Sequence, residues 1–299
     1  GDALSAPSDV VVDGSTIGAV VPAGTAAAPD DGTVIDGGGR TLMPGLIDAH
    51  WHTAFCAANQ IQAMTADVGF LHISAGVAAT ATLERGFTTV RDCGGPTFGL
   101  KLAIDAGLVP GPRIYPSGAF ITQTAGHGDF RLPFDVPSDP CCGLHHTEIK
   151  GVSRIADGVD AVLQAVREQL MLGASQVKVM AGGGVSSSYD PIDVTQYTAA
   201  EMRAAVECAE NWGTYVMVHA YTPRSIRQAI TAGVRCIEHG QLADEETIDM
   251  MAEHDVWWCL QPFLGDEDAN PKPPHLQAKQ AAVAEGTDNA YRLAIAKGV

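Results

Sequence analysis

Between Leu46 and Phe263 the sequence repeats one device: a short apolar or β-branched run, then a helical stretch, then in several cases a glycine. The runs fall at 46–52, 88–93, 113–118, 176–181, 215–221, 235–240 and 256–263. Helical spacing of apolar residues occupies 72–85, 158–172, 199–212, 222–232 and 244–254. The first four of these helices stop at Gly86, Gly173, Gly213 and Gly233. Helices that close on glycine just ahead of a strand form the αβ half of a βα repeat. Seven such strands in an α/β chain predict a (β/α)8 TIM barrel rather than an open doubly wound sheet. No G-x-G-x-x-G follows the first strand, and "AGGG" at 181–184 lacks the lysine and Ser/Thr of a phosphate loop.

Residues 9–43 read differently. "DVVVDGSTIGAV" places apolar residues on both sides of Asp13-Gly14, a hairpin signal, and "TVIDGGGRTLMPG" suggests one more short strand. This gives two expected units: residues 1–44, part of a small β-sandwich, and residues 45–299, the barrel. At 299 residues and 46% hydrophobic the chain can bury a large core. A net charge of −17 argues against nucleic acid or an anionic membrane as partner, and no apolar run reaches 18 residues. Seven cysteines, with no C-x-x-C and with Cys141 and Cys142 adjacent, read as reduced thiols of a cytoplasmic protein. Thiolate metal ligation is the alternative. Residues 119–150 form the one long connection, with Gly126, Gly128, Pro133, Pro137 and Pro140 beside His127, His145 and His146; it reads as a lid or a disordered loop.

The chemistry concentrates in the strands. Residues two apart in a strand share a face. Parity puts Asp48, His50 and His52 on one face of the first strand and Trp51 on the other. It sets Lys178 against Val177 and Val179, and His219 with Tyr221 against Val216 and Val218. In the sixth strand it sets Ile237 and His239 against Cys236 and Glu238. The helix-facing side of a barrel strand is apolar, so Lys178 and the four histidines should face inward, near the C-terminal strand ends where barrel active sites lie. A single histidine would read as a hydrogen-bonded core residue. Four with a lysine on one rim read as a metal site. Burial and a nearby dication both favour the neutral amine of Lys178, which can add carbon dioxide to give an anionic carbamate. A lysine paired with Asp48 or Asp92 is the plainer alternative.

"PGLIDAHWHT", "VKVMAGGGVSS", "MVHAYTPRSIRQAI" and "GVRCIEHGQLAD" occur in that order. Together they resemble the amidohydrolase superfamily, and within it the prolidase-like carboxypeptidases related to imidazolonepropionase (Xaa-Pro dipeptidase and Xaa-Arg carboxypeptidase type). The resemblance implies a distorted barrel with a β-sandwich built from both chain ends. It implies His50 and His52 on one metal, His219 and His239 on a second, and carboxylated Lys178 bridging two divalent ions, expected to be zinc. It also implies a strand-eight aspartate, which has no counterpart before Val299, so the chain reads as truncated at both ends. His127 matches a loop histidine placed over the substrate. Tyr221 is the candidate donor to a carbonyl or carboxylate, with an ordinary rim tyrosine as its alternative. Arg91 and Asp92 match the family and are expected to support the site from behind.

The expected activity is hydrolysis of an amide or peptide bond in a small substrate, a dipeptide or N-acyl amino acid, by a hydroxide bridging two metals. Rival readings are a deaminase or cyclic-amide hydrolase on the same scaffold, and an inactive fragment that binds metal weakly. The partners expected are small molecules, and a homo-oligomer is compatible with the sequence.

Overall fold

The computed structural model describes residues 4–27, 30–136, 143–263 and 272–299. These fall into two compact units, divided after Gly45.

The first unit holds an antiparallel hairpin, β1 (Ser8–Asp13) and β2 (Thr16–Pro22). Gly14 supplies the left-handed φ of 59° at the first of two turn positions, which the turn signal in the sequence required. The carboxylate of Asp9 accepts from the amides of Gly24, Thr25 and Ala26 and ties the chain leaving β2 back to β1. The expected extra strand within 33–45 does not form. Gly38 and Gly39 adopt φ of 56° and 74°, which breaks any extended run there.

The second unit alternates strand and helix. In chain order it runs β3 (Leu46–Trp51), α1 (Thr53–Cys56), α2 (Gln60–Thr65), α3 (Val68–Glu84), β4 (Phe87–Asp92), α4 (Phe98–Asp105), β5 (Arg113–Tyr115), β6 (Phe120–Thr122), α5 (His146–Ile149) and β7 (Ser153–Ile155). It continues α6 (Val159–Met171), β8 (Val177–Met180), α7 (Ala199–Asn211), β9 (Val216–Ala220), α8 (Pro223–Thr231), β10 (Cys236–His239), α9 (Glu245–Glu253), β11 (Trp257–Cys259) and α10 (Pro274–Lys297). Among the described residues all pairings between these strands are parallel, in the orders β3-β4-β5 and β11-β10-β9-β8-β6-β7, with one isolated antiparallel bridge between Gly182 and Thr195. This is the α/β, parallel-stranded fold the rhythm predicted. Gly86, Gly173, Gly213 and Gly233 all carry left-handed φ between 81° and 104°, so each helix–strand turn falls where glycine marked it.

One expected strand, 113–118, is shorter than predicted, and a second strand, β6, follows beyond it. Gly118 turns the chain at φ 71° between β5 and β6, and a Cβ there would collide with Gln169 and Phe98. The long connection after it is more ordered than its composition suggested. Its described residues contain β6, a 3-10 turn at Pro133–Asp135 and α5, with β7 following just beyond it. Cys141, Cys142, Pro137 and Pro140 lie outside the described residues.

The main core packs the outer faces of the strands against the helices. Val177, Val179, Val216, Val218 and Ile237 meet Val166, Val206 and Ile248 there, each at most 1% exposed. A second cluster seats Trp51 and Val90 on Ala75 and Ala79 of α3. No helix among the described residues is long and apolar enough to cross a membrane.

Candidate metal centre

Register decides which side chains meet inside. In parallel strands, residues level with one another face the same side. Lys178, Met217 and Cys236 are level across β8, β9 and β10, and the layer above holds Met180, His219, Glu238 and Cys259. Val179, Val218 and Ile237 form the alternate, helix-facing layer. Lys178 and His219 therefore face inward, as parity predicted. At the C-terminal strand ends the rings gather. Ring centres are 5.0 Å apart for His50–His52, 4.6 Å for His50–His239 and 4.6 Å for His219–His239.

Each of these four rings has one nitrogen tied to an acceptor. Glu238 accepts from His50 Nδ1 at 2.6 Å and the Gly94 carbonyl from His52 Nδ1 at 3.0 Å. The Gly183 carbonyl accepts from His219 Nε2 at 3.0 Å, and Gln261 Oε1 from His239 Nδ1 at 2.8 Å. A carbonyl or carboxylate only accepts, so those nitrogens carry the proton and the opposite ones carry lone pairs. The freed Nε2 atoms of His50 and His52 stand 3.2 Å apart. Two lone pairs so close repel unless a cation lies between them. Two nitrogens bound at about 2.0–2.1 Å to one tetrahedral ion would be roughly 3.4 Å apart.

Lys178 is 1% exposed, and its Nζ has no hydrogen-bond partner among the described residues. A buried nitrogen so placed is costly unless something outside the chain satisfies it. Burial lowers the basicity of every ring here, and the Lys178 charge adds to that at each. His52 falls to about 3, chiefly through burial and then its neighbour His50. His219 and His239 lie well below the ordinary histidine range for the same first reason. Neutral imidazoles are the form that ligates metals.

His127 stacks on His219, with centres 4.1 Å apart and planes at 25°. Its Nδ1 meets Ser187 Oγ at 2.6 Å and lies 3.7 Å from Asp190. Gly184 leaves room for this ring, since a Cβ there would collide with it. Burial first, against the pull of Asp190, brings His127 down to about 4. Tyr221 is 3% exposed, with its ring 4.9 Å from His219 and 5.2 Å from His239. Burial raises its phenol, so it stands as a neutral donor.

Three expectations need correction. Parity put Ile237 inside and Glu238 outside; the structure reverses them. His239, level with the helix-facing Ala220, reaches the centre because its own backbone turns left-handed, with φ 79°. Asp48 also fails to face inward. It is level with Val90 in the helix-facing layer, while Ile47 and Ala49, both exposed, line the large cavity at the N-terminal strand ends. A register shift between Asp48 and Trp51 restores His50 to the inner face. Lys178 accordingly pairs with neither Asp48 nor Asp92, whose carboxylate is taken up by Thr53, Thr97 and the Gly94 amide.

Glu238 is the residue the sequence reading missed. It is 0% exposed and accepts from His50 and, at 2.5 Å, from Arg91 Nη2. Burial alone would raise its carboxyl, but the His50 hydrogen bond, Lys178 and Arg91 hold it well below the usual carboxylate range. The available signal was an acid and a base, Glu238 and Arg91, each inside a short buried strand. His50, Cys93 and Glu238 bring ligand atoms within 4.8 Å of one another. Glu238 is already committed there, and burial, then the Glu238 charge, keeps the Cys93 thiol protonated. That trio braces the rings from below. The rings of His145 and His146 lie 4.0 Å apart and tilted, and His145 pairs with Thr147 and Asp135; neither ring contacts the four histidines among the described residues. At the opposite, N-terminal strand ends lies a cavity of about 1120 Å³, lined in part by Ile47, Thr89, Gln176, Tyr215 and Trp257.

Known proteins carry similar chains. A prolidase crystallised with N-methylphosphonate-L-proline is 40% identical with a TM-score of 0.88, covering 97% of this chain and 71% of that one. A Xaa-Pro dipeptidase with bound methionine is 30% identical with a TM-score of 0.83, covering 97% of this chain and 72% of that one. Ochratoxinase of Aspergillus niger is 33% identical over 274 residues, 86% of this chain. The chain spans 56% of the length of that curated relative. Residues 41–294 match the amidohydrolase family across almost the whole second unit, and on that match the chain belongs to the amidohydrolase family.

Proposed function

We propose that this chain carries the metal-binding core of a hydrolase that cleaves an amide or peptide bond in a small substrate, a dipeptide or N-acyl amino acid. The observation that carries the reading is the ring set: four histidines, each with one nitrogen tied outward, around a buried lysine amine that lacks a partner. Kinship to a prolidase and to ochratoxinase supports the amide-bond part of the reading.

The residues present fit two divalent ions; their imidazoles suit zinc and other first-row metals, and zinc is the ion we propose. His50 and His52 would hold one, and His219 and His239 the other. Lys178 would join them as a carbamate, in which the amine form of Nζ bonds to the carbon of carbon dioxide and one proton is released. Such a group would give Nζ the partner it lacks. When bound, such ions supply Lewis acidity toward an amide carbonyl and a nucleophilic water at neutral pH.

The chain's own groups supply orientation. Glu238, Gly94, Gly183 and Gln261 fix the ring tautomers. Tyr221, neutral and beside His219 and His239, can donate to a carbonyl oxygen as charge builds on it. His127, tied at Nδ1 to Ser187, presents its other ring nitrogen beside His219 and donates there in the tautomer whose Nδ1 accepts from the serine hydroxyl.

The test is metal content with activity. Zinc-reconstituted protein should hold about two ions per chain and hydrolyse N-acyl amino acids. Lys178→Ala should drop the content below two and remove most turnover. Full metal content and normal turnover in that variant would overturn the carbamate. Less than one ion per chain in the parent, with no turnover, would overturn the hydrolase reading.

A further inference from the structure

Two apolar clusters flank the histidine rings, each touching a different part of the set. On the His52 side, Phe120 and Met180 are buried, with Phe55 and Phe130 only partly buried against them. Phe55 lies 5.6 Å from the His52 ring, and Phe130 meets Phe120 edge-on at 5.9 Å. The wall is held in place. Phe120 sits between Gly94 and Gly128, where a Cβ on either would collide with its ring. Gly94 also accepts the His52 hydrogen bond, so the wall and the ring share one anchor.

On the side of His219 and His239, Tyr221 packs with Val185 and Val283, and Leu242 and Phe263 pack partly buried against them. Phe263 is 6.4 Å from the Tyr221 ring. Of the charged groups near this rim, Lys279, Lys272 and one oxygen of Asp190 are hydrogen-bonded within the chain, while Asp190 Oδ1 and Lys178 Nζ are buried without a partner among the described residues. Lys279 donates to the carbonyls of Gly184, Ser187 and Asp190, and Asp190 accepts from the Gly184 amide. Lys272 donates to Ser186. An ionised substrate side chain would have to displace one of these pairings or lie unpaired on apolar surface, and both are costly.

We infer that the substrate's side chains flanking the scissile bond are uncharged and apolar, with an aromatic or branched aliphatic side chain seated against Phe55 and Phe130. This rests on the hydrolase reading for where the scissile bond lies. Specificity then comes from area removed from water on each flank. It is limited by the modest discrimination that apolar contact alone achieves, about 10–200-fold per group.

The test separates binding from chemistry. N-methylphosphonate derivatives of L-phenylalanine, L-leucine, L-aspartate and L-lysine cannot be hydrolysed at carbon, so calorimetry on the zinc-loaded chain reads the subsites alone. The phenylalanine and leucine derivatives should bind at least tenfold tighter than the aspartate and lysine ones. Phe130→Ala should narrow the phenylalanine-to-aspartate ratio at least threefold, and Phe130→Leu should restore most of it. Equal affinities across the four, or a preference for a charged one, would overturn the inference. Turnover of the matching N-acetyl amino acids is measured separately. Its absence alongside the apolar preference would count against the hydrolase reading and leave the inference standing.

Discussion

His50 has one ring nitrogen turned to the centre and one held by Glu238, which is held in turn by Arg91. The acid fixes which nitrogen of His50 is free, and the base keeps that acid ionised in a buried place. Replacing Glu238 by Gln keeps the shape but sets an amide N–H₂ against a donor. We expect Glu238→Gln to remain folded and to bind zinc roughly 10–100-fold more weakly, measured by competition with a chromophoric chelator; unchanged affinity would remove Glu238 from this role. Asp92 carries a pH prediction of the opposite kind. Burial lifts its carboxyl to about 6 against hydrogen bonds from Thr53, Thr97 and Gly94. The unfolded value is about 3.9, so between about pH 4 and 6 the folded chain binds the extra proton. Its contribution is present below that window and is lost as pH rises through it. Melting temperatures of Asp92→Asn, compared with the parent across the window, should lack that fall; parallel curves would show Asp92 to be silent. The four candidate ligand histidines were legible because all fall at the C-terminal ends of their strands; parity placed His219, while His50 and His239 reach the centre through a register shift and a left-handed residue. Glu238 was not, because adjacent polar residues, Glu238 and His239, close a four-residue strand and parity cannot rank them.

At the scale of elements, boundaries were largely legible and facing was only partly so. Helices expected at 199–212 and 222–232 form at Ala199–Asn211 and Pro223–Thr231, since glycines and caps mark their ends locally. The turn of β10 at His239 and the register shift in β3 come from pairing with neighbours, which no single strand encodes. The connection after β8 shows how one element stabilises another. Lys279, on α10, bonds three carbonyls of the segment that carries Ser187 and Asp190 to His127. Lys279→Met keeps the stem and removes the donors. We expect the Gly184 amide to exchange with deuterium at least tenfold faster in that variant, with helix amides of α7 unchanged. Equal exchange at Gly184 would show that the segment holds itself.

For the whole second unit, the candidate ligands come from separate strands, so the proposed pair of ions, joined through Lys178, would tie β3, β8, β9 and β10 together across the interior. Anything that binds the folded state alone stabilises it by mass action, about 2.7 kcal/mol at a hundredfold excess over Kd. For a unit of this size that is a rise in Tm of roughly 5–10 °C. Chelation should reverse it in a thermal scan; superimposable melts with and without zinc would show that the ions do not engage the folded ring set. The α/β architecture was legible because its rhythm is periodic and local. The joining of strand ends into one centre is a long-range property, and the sequence hinted at it only through the placement of histidines.

The four acceptors behind the rings differ in kind. Those of His50 and His239 are the side chains of Glu238 and Gln261, while those of His52 and His219 are the main-chain carbonyls of Gly94 and Gly183. A point mutation can delete a side chain but not a peptide carbonyl. Sequence drift can therefore retune one ring on each side of the centre, while the other ring on each side keeps its proton where the backbone put it. Half of the centre is open to selection and half is fixed by the fold.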